Sequence, residues 1–411
     1  MNGTSGLKSN EIVRSLLIGM LVGLGFAGVF FSGFFLRDYI DANDASVFAS
    51  VADPDSTGYP LVDEVDSLLE RHYLRELPSY SERQYAAIRG MLGSLNDSNT
   101  FFIDPPVAQS ESDVLAGTYG GIGVSVSRDE AGNFVLFPFP DSPAYEAGLR
   151  EADVIHAING VEVDLSTQLD AVDQMLRGEV IEDNGVELTV RRGETLLTLF
   201  VKYSVINVPS VLWRTLDDER VGYIQVLRFT SRTPQELDEA LKDLKASNVA
   251  AFILDLRNNS GGLLQESIQV ADEFLDGGVV LHEITNNSET SFEVEAGGDA
   301  INQPLVVLIN NRTASAAELV AGAIQDRGRG ILIGQATFGK GTIQQIFPLS
   351  DASSIHVTSA EWLTPNRNEL DGVGLTPDIV MIPDENGRDI EIGEALQHIQ
   401  DQLVTAEARG E

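Results

Sequence analysis

The sequence predicts an α/β core that follows a strand-rich domain, an N-terminal helical segment and one membrane-spanning helix. Three observations support this fold class. Apolar strands alternate with helices after residue 207, short β-like runs alternate with glycine and aspartate turns between residues 117 and 206, and residues 15–36 carry no charge. These patterns divide the chain into segments 1–37, 38–58, 59–113, 114–206 and 207–411.

The first segment contains a run of 22 uncharged and mostly apolar residues, 15–36. A helix needs about 20 such residues to cross a hydrocarbon core of about 30 Å. Lys8 and Arg14 precede the run and Asp38 and Asp41 follow it, so the positive-inside rule places the N-terminus in the cytoplasm. We therefore expect a single-pass protein of the cell membrane whose main part is extracytoplasmic. The alternative is a secreted protein that loses a signal peptide.

The next two segments differ in their patterns. Residues 38–58 are rich in Asp, Ala and Ser without apolar periodicity, which is typical of a linker. Apolar residues then recur every three or four positions, which predicts two amphipathic helices. These helices are expected at 61–77 and 83–95.

The remaining segments contain the predicted sheets. In segment 114–206, β-like runs occupy 123–126, 134–137, 154–158, 186–190 and 196–201. In segment 207–411, strands are expected at 221–225, 250–256 and 305–310, and the helices that follow them at 234–245, 265–275 and 315–325. Such alternation is typical of a parallel sheet covered by helices.

The composition argues against several classes of function. Acidic residues outnumber basic ones by 63 to 27, which disfavours nucleic acid as a partner. The chain has no cysteine, so thiol nucleophiles and Cys-ligated zinc are excluded. The five histidines show no metal-ligand spacing. We expect neither a metal nor a cofactor.

Lys340 is the first candidate catalytic residue. It lies in residues 331–349, a stretch that holds no other charge. Partial burial of such a lysine favours the neutral amine, lowers its pKa and prepares it to act as a general base. The alternative is a loop lysine whose ammonium group reaches solvent.

Ser315 is the second candidate, because it follows the apolar strand 305–310 at the start of a helix rich in small residues. A serine at such a turn exposes its hydroxyl beside backbone N–H groups that can stabilise an oxyanion. Ser315 and Glu318 also fit an ordinary helix capping box. The glycine loop in 254–262 can supply a second oxyanion donor or form only a tight turn.

Together these segments resemble the C-terminal processing peptidases, also called tail-specific proteases, which use a Ser-Lys pair. Residues 313–318 (Thr-Ala-Ser-Ala-Ala-Glu) match the family's nucleophile motif. Residues 339–344 (Gly-Lys-Gly-Thr-Ile-Gln) match its Gly-Lys-Gly-x-x-Gln motif. The resemblance implies a serine endopeptidase with an inserted PDZ-like domain and a core related to the Clp-protease and crotonase-like fold.

The resemblance also implies roles for individual residues. Ser315 attacks the peptide carbonyl, Lys340 accepts the proton, and Gln344 orients Lys340. The oxyanion donors are the N–H groups of Gly261 and Ala316, with Gly262 as the alternative to Gly261. The carboxylate-binding loop of the PDZ-like domain is expected at Tyr119, Gly120, Gly121, Ile122 and Gly123.

The implied partners are proteins or peptides with a free apolar C-terminus, whose terminal carboxylate meets the loop amides while the peptide adds as a strand. A homo-oligomer is also considered.

Three other interpretations of the sequence stay open. The chain could be a non-catalytic, membrane-tethered PDZ-type binding protein. Residues 334–341 have the spacing of a phosphate-binding loop, although Gly341 replaces the usual Ser or Thr. A Ser-His-Asp hydrolase would need a histidine such as His356.

Overall fold

The computed structural model describes residues 59–129, 131–165, 167–216, 220–294, 296–382, 384 and 387–409. The described residues fall into two units that divide after residue 83. Helix α1 spans Pro60–His72 in the first unit, and α2 spans Tyr80–Gly93 across the boundary. In the first unit the Arg83 guanidinium donates to Asp66 at 2.6 Å and to Glu70 at 2.8 Å, which ties the start of α2 to α1.

The second unit contains the inserted domain. It begins with β1 (Phe101–Ile103) and α3 (Pro105–Ala116). The inserted domain then comprises β2 (Thr118–Gly121), β3 (Val124–Arg128), β4 (Phe134–Pro138), α4 (Pro143–Glu146), β5 (Asp153–Ile158), β6 (Val161–Glu162), α5 (Leu169–Met175), β7 (Gly185–Arg192), β8 (Thr195–Lys202) and β9 (Ser204–Asn207). Its sheet has the order β3-β4-β5-β7-β8, with β6 beside β5. Strands β2 and β9 pair antiparallel, so the two ends of the domain meet.

The core follows from residue 211. Its elements are β10 (Val211–Leu216), β11 (Val221–Val226), α6 (Thr233–Ala246), β12 (Ala251–Asp255), α7 (Leu264–Phe274), β13 (Gly278–Ile284), β14 (Glu289–Val294), β15 (Leu305–Ile309), α8 (Ala316–Asp326), β16 (Ile331–Gly334), β17 (Thr342–Pro348), β18 (Ser354–Leu363), β19 (Ile379–Val380) and α9 (Ile390–Arg409). The central sheet has the order β10-β11-β12-β15-β16-β19. Strand β10 is antiparallel to β11, and the other neighbours are parallel.

Both faces of the central sheet are covered by helices. In β12, Phe252 and Leu254 face the cluster that includes α6, α7 and α8. Ala251 and Ile253 face the opposite cluster, which includes Ala395 of α9. Because side chains alternate between the two faces of a strand, burial on both faces requires the uninterrupted apolar runs that the sequence shows. The predicted α/β core is confirmed, and its strands and helices differ from the predicted bounds by one residue at most at each end.

The membrane-spanning helix in the predicted fold class needs correction. Among the described residues, no helix is both long and apolar enough to cross a membrane. Even α9, with 20 residues, carries acidic and basic side chains, which a hydrocarbon core excludes. The described residues form the core, the inserted domain and the N-terminal helices. Residues 15–36, on which that expectation rested, lie outside the described residues, and the cellular location stays a prediction.

A second sheet, β1-β18-β13-β14 with β17 also beside β18, accompanies the central one. It pairs Phe101 of β1 with His356 of β18 and so brings the start of α3 to the core. The carboxyl ends of β12, β15 and β16 meet at one edge of the central sheet, where parallel sheets form their binding sites. The loops that contain Gly261, Ser315 and Lys340 follow these three strand ends.

Candidate active site

Ser315 lies at a strained turn between β15 and α8. Its φ is +55° and its ψ is −122°, a positive-φ conformation that is costly for a residue with a side chain. The Ser315 N–H donates to Glu318 Oε2 at 2.8 Å, and the Ala314 N–H donates to Asn259 O at 3.0 Å. The turn is thus fixed on both sides of the serine.

The loops after β12 and β15 are joined by side-chain hydrogen bonds. Thr313 is buried, and its hydroxyl donates to Leu256 O at 2.9 Å. Asn310 and Asn258 are also paired, because Asn310 Nδ2 donates to Asn258 Oδ1 at 3.0 Å and Asn310 Oδ1 accepts from the Asn258 N–H at 3.0 Å. These bonds hold the serine turn and the glycine loop at a fixed spacing.

Glu318 joins the serine turn to the lysine loop. Its carboxylate is fully buried. Oε2 accepts from the N–H groups of Ser315 at 2.8 Å and Lys340 at 2.9 Å, and Oε1 accepts from the Gly339 N–H at 2.7 Å and the Thr337 hydroxyl at 2.5 Å. The bond from the Ser315 N–H is part of the capping box. The capping box and the candidate nucleophile therefore lie in one motif.

Lys340 points into the same cavity as Ser315. Its Nζ donates to Gln344 Oε1 at 2.6 Å. Burial lowers the pKa of Lys340, although the charges of Glu111 and Glu318 oppose this shift. No hydrogen bond joins Lys340 Nζ to Ser315 Oγ in the part of the chain that the structure describes. Gln344 therefore holds the amine in this conformation.

Two backbone amides face the space beside Ser315. The Gly261 N–H donates to Asn259 Oδ1 at 2.9 Å and is therefore engaged. The N–H groups of Gly262 and Ala316 have no partner among the described residues, and both residues line the cavity. In this conformation the alternative donor, Gly262, fits an oxyanion hole with Ala316 better than Gly261 does.

The cavity has a volume of about 230 Å³ and contains groups that the sequence did not single out as functional. Glu111 of α3 and Arg228 after β11 both line it. His356 also lines it, and its Nε2 lies 2.8 Å from Glu111 Oε2. This hydrogen bond lowers the pKa of Glu111. The His356 ring also stacks on Phe101 with centroids 4.6 Å apart.

The structure argues against two of the alternatives, the Ser-His-Asp hydrolase and the phosphate-binding loop. His356 serves Glu111, and no histidine is hydrogen-bonded to Ser315 among the residues described. Residues 334–341 are followed by β17, whereas a phosphate-binding loop needs a helix N-terminus at that point.

The predicted carboxylate-binding loop lies at the start of the inserted domain. Tyr119, Gly120 and Gly121 belong to β2, and Ile122 and Gly123 lead into β3. The Arg177 guanidinium lies 4.4 Å from the centre of the Tyr119 ring. Gly120 lines a separate cavity of about 620 Å³. The amides of Ile122 and Gly123 have no partner within the described ranges, and β3 is an edge strand of its sheet.

Sequence reasoning noticed Glu318 only as a cap, and it missed Glu111 and Arg228. For Glu318 the signal was present, because the motif 313–318 contains it. For Glu111 and Arg228 the sequence carries no local signal, since the fold alone brings them to the cavity.

Comparisons with known proteins agree with this architecture. Residues 220–381 match the model of peptidase family S41, and residues 139–192 match that of a PDZ domain. A carboxy-terminal-processing protease of Bartonella bacilliformis is 36% identical over 321 residues, which cover 75% of this chain and 73% of that protein. The carboxy-terminal processing protease CtpA of Bacillus subtilis is 33% identical, with 71% and 62% covered.

Among solved structures, a photosystem II D1 C-terminal processing protease is 30% identical, covers 78% of this chain and 89% of its own, and has a TM-score of 0.46. The identity to the Bartonella protein and the share of both chains that it covers establish the family. This chain belongs to the carboxy-terminal processing proteases of peptidase family S41, and it is a serine-type peptidase with a PDZ domain.

Proposed function

We propose that this enzyme cleaves the C-terminal regions of proteins through a Ser315–Lys340 dyad. One observation carries the proposal: Ser315 and Lys340 line one cavity, and a single buried carboxylate, Glu318, accepts hydrogen bonds from both of their backbone N–H groups. The partly buried lysine has a lowered pKa, as a general base requires.

The proposed reaction proceeds through an acyl-enzyme. The neutral amine of Lys340 takes the proton of Ser315 Oγ while Oγ forms a bond to the peptide carbonyl carbon. The N–H groups of Ala316 and Gly262 stabilise the oxyanion. The C–N bond then breaks, and the Lys340 ammonium returns the proton to the leaving amine. Water then attacks the ester carbonyl while Lys340 takes its proton, and the C–Oγ bond breaks as the Lys340 ammonium returns that proton to Ser315 Oγ. The first transfer requires Lys340 Nζ to come within hydrogen-bond reach of Ser315 Oγ.

Selection of the substrate tail is assigned to the PDZ domain. The edge strand β3 can accept an added peptide strand, and the amides of Ile122 and Gly123 can bind its terminal carboxylate. The names of the related proteases support a preference for C-terminal regions.

The test is cleavage of an unfolded model protein with an apolar C-terminus, supplied either with a free or with an amidated terminus. We expect amidation to lower kcat/KM by about 10- to 100-fold, because the loop amides lose a charged acceptor. Mass spectrometry of the fragments locates the cleaved bonds. N-terminal acetylation of the substrate is the control and should change nothing. Equal cleavage of the free and the amidated substrate would refute tail recognition. It would leave the proposed dyad unaffected.

The dependence on pH gives a second prediction. Because the neutral lysine is the base and burial lowers its pKa, kcat/KM should rise with pH through this lowered pKa and then level off. Glu111 raises the pKa of Lys340 against the effect of burial, so Glu111→Gln should move the rising limb to lower pH. A pH profile of both proteins measures this. If the rising limb kept its position in Glu111→Gln, the titrating group would not be Lys340.

A further inference from the structure

Arg228 is a cavity residue that neither the dyad nor the oxyanion hole uses. It lies directly after β11 and lines the cavity with Ser315 and Lys340. Its Nε is buried and has no acceptor. Within the described ranges its guanidinium forms no hydrogen bond and no ion pair with another side chain. The cavity therefore contains a cation whose donors are unused.

The backbone around Arg228 is firmly placed beside the glycine loop. The Thr233 hydroxyl donates to Arg228 O at 2.9 Å. The next residue, Phe229, donates its N–H to Gly261 O at 3.0 Å and accepts from the Leu263 N–H at 2.9 Å. Arg228 is thus positioned by the same loop that presents the Gly262 amide. A side chain on such a fixed segment can recognise a ligand with defined geometry.

The acidic group nearest in the cavity does not satisfy this arginine. Glu111 Oε2 accepts from His356 Nε2 at 2.8 Å. The positive charge of Arg228 contributes to the lowered pKa of Glu111, but the two groups form no direct contact within ion-pair distance among the described residues. A buried donor without an acceptor is unfavourable, so the structure favours a ligand that supplies one. The planar guanidinium pairs best with a carboxylate, through two parallel hydrogen bonds.

We infer that Arg228 binds a carboxylate of the substrate inside the active-site cavity and so creates a preference for an acidic group close to the cleaved bond. This inference rests on the proposed protease function. Two groups offer the required chemistry. One is the side chain of an Asp or Glu residue beside the cleaved bond, and the other is the α-carboxylate of a substrate whose tail ends within the cavity.

The test uses the full chain and a set of otherwise neutral peptides. In each peptide one Asp, or its isostere Asn, occupies a different position around the cleaved bond, and each peptide is made with a free and with an amidated C-terminus. We expect the wild type to prefer one carboxylate over its amide by about 10- to 100-fold in kcat/KM, as for other charged, bidentate pairs. In Arg228→Gln the Asp/Asn ratio should fall to about 1, and the free/amidated ratio should fall to the part that the PDZ domain contributes; Arg228→Lys should retain part of the difference.

The position of the preferred group distinguishes its two sources. An Asp/Asn ratio that Arg228→Gln lowers identifies a side chain, and a free/amidated ratio that Arg228→Gln lowers identifies the α-carboxylate. Arg312→Gln is the matched control, because Arg312 is exposed, lies three residues before Ser315 and does not line the cavity. Arg312→Gln should keep the wild-type ratio of kcat/KM between the carboxylate and the amide peptides.

The same peptides are also titrated by fluorescence anisotropy against Ser315→Ala, with and without Arg228→Gln. Binding at the PDZ domain is common to both proteins, so the difference isolates Arg228. A carboxylate preference that falls with Arg228→Gln supports the inference. The same carboxylate preference in Ser315→Ala with and without Arg228→Gln overturns it, as does an unchanged ratio in the cleavage assay. A wild type that shows no Ser315-dependent cleavage would refute the proposed function, while the binding comparison would still decide the role of Arg228.

Discussion

Lys340→Arg should abolish peptide hydrolysis as completely as Ser315→Ala, with a loss in kcat on the order of 10⁴-fold or more. The reason is chemical, because the guanidinium stays protonated at every accessible pH and cannot take the proton of Ser315 Oγ. The substitution keeps the positive charge, so a role that needed charge alone would survive it. Turnover of the unfolded model protein under saturating conditions gives the comparison.

The control for this substitution is Lys202→Arg. Lys202 is an exposed lysine of the PDZ domain that pairs with Asp183 at 2.7 Å, and its replacement should leave turnover unchanged. Thermal unfolding of each variant checks that the fold is intact. If Lys340→Arg retained wild-type turnover, the base would lie elsewhere. His356→Gln would then show whether the Glu111–His356 pair supplies it.

Glu318→Gln is expected to have the second-largest effect. The carboxylate accepts four hydrogen bonds, whereas a glutamine offers one oxygen and turns an NH₂ group toward backbone donors. Buried hydrogen bonds to a charged group contribute about 1.5–3 kcal/mol each, and an unsatisfied donor is costly. We expect the free energy of unfolding to fall by about 2–4 kcal/mol. Displacement of Lys340 from Ser315 should lower kcat by about 100-fold or more.

Urea denaturation measures the stability of Glu318→Gln, and kcat and KM are determined separately under conditions in which it is folded. The loss should fall on kcat, since Glu318 touches no substrate. Glu239→Gln serves as control, because Glu239 is exposed on α6 and bonds only Gln235 among the described residues. Wild-type kcat in a folded Glu318→Gln protein would show that the lysine loop holds its place without the carboxylate.

The centre of the core could be predicted because its strands β12 and β15 are buried on both faces. In β12 and β15 the uninterrupted burial of Ala251–Asp255 and Leu305–Ile309 leaves a pattern that is visible in the sequence. The order of strands in the sheets could not be predicted in this way. Pairing of β1 with β18 depends on contacts between residues far apart in the chain, and local periodicity carries no record of them.

The same distinction applies to the site. Ser315 and Lys340 lie in short motifs, so the residues next to them in the sequence identify them as candidates. Glu111 reaches the cavity only because α3 follows β1, which is paired with β18. The sequence also could not show whether Gly261 or Gly262 has the free N–H group, because the two adjacent glycines are chemically identical. The difference depends on the Asn259 side chain, which engages the Gly261 N–H.

The junction between the PDZ domain and the core has a consequence for how such proteases diversify. The Val208 N–H donates to Gly117 O at 2.9 Å, just outside the paired strands β2 and β9. The core therefore presents two neighbouring chain ends, and any domain whose own termini are adjacent can be spliced between them without displacing the central sheet. The PDZ domain can thus be replaced by another binding domain, in evolution or by design, while the core is retained.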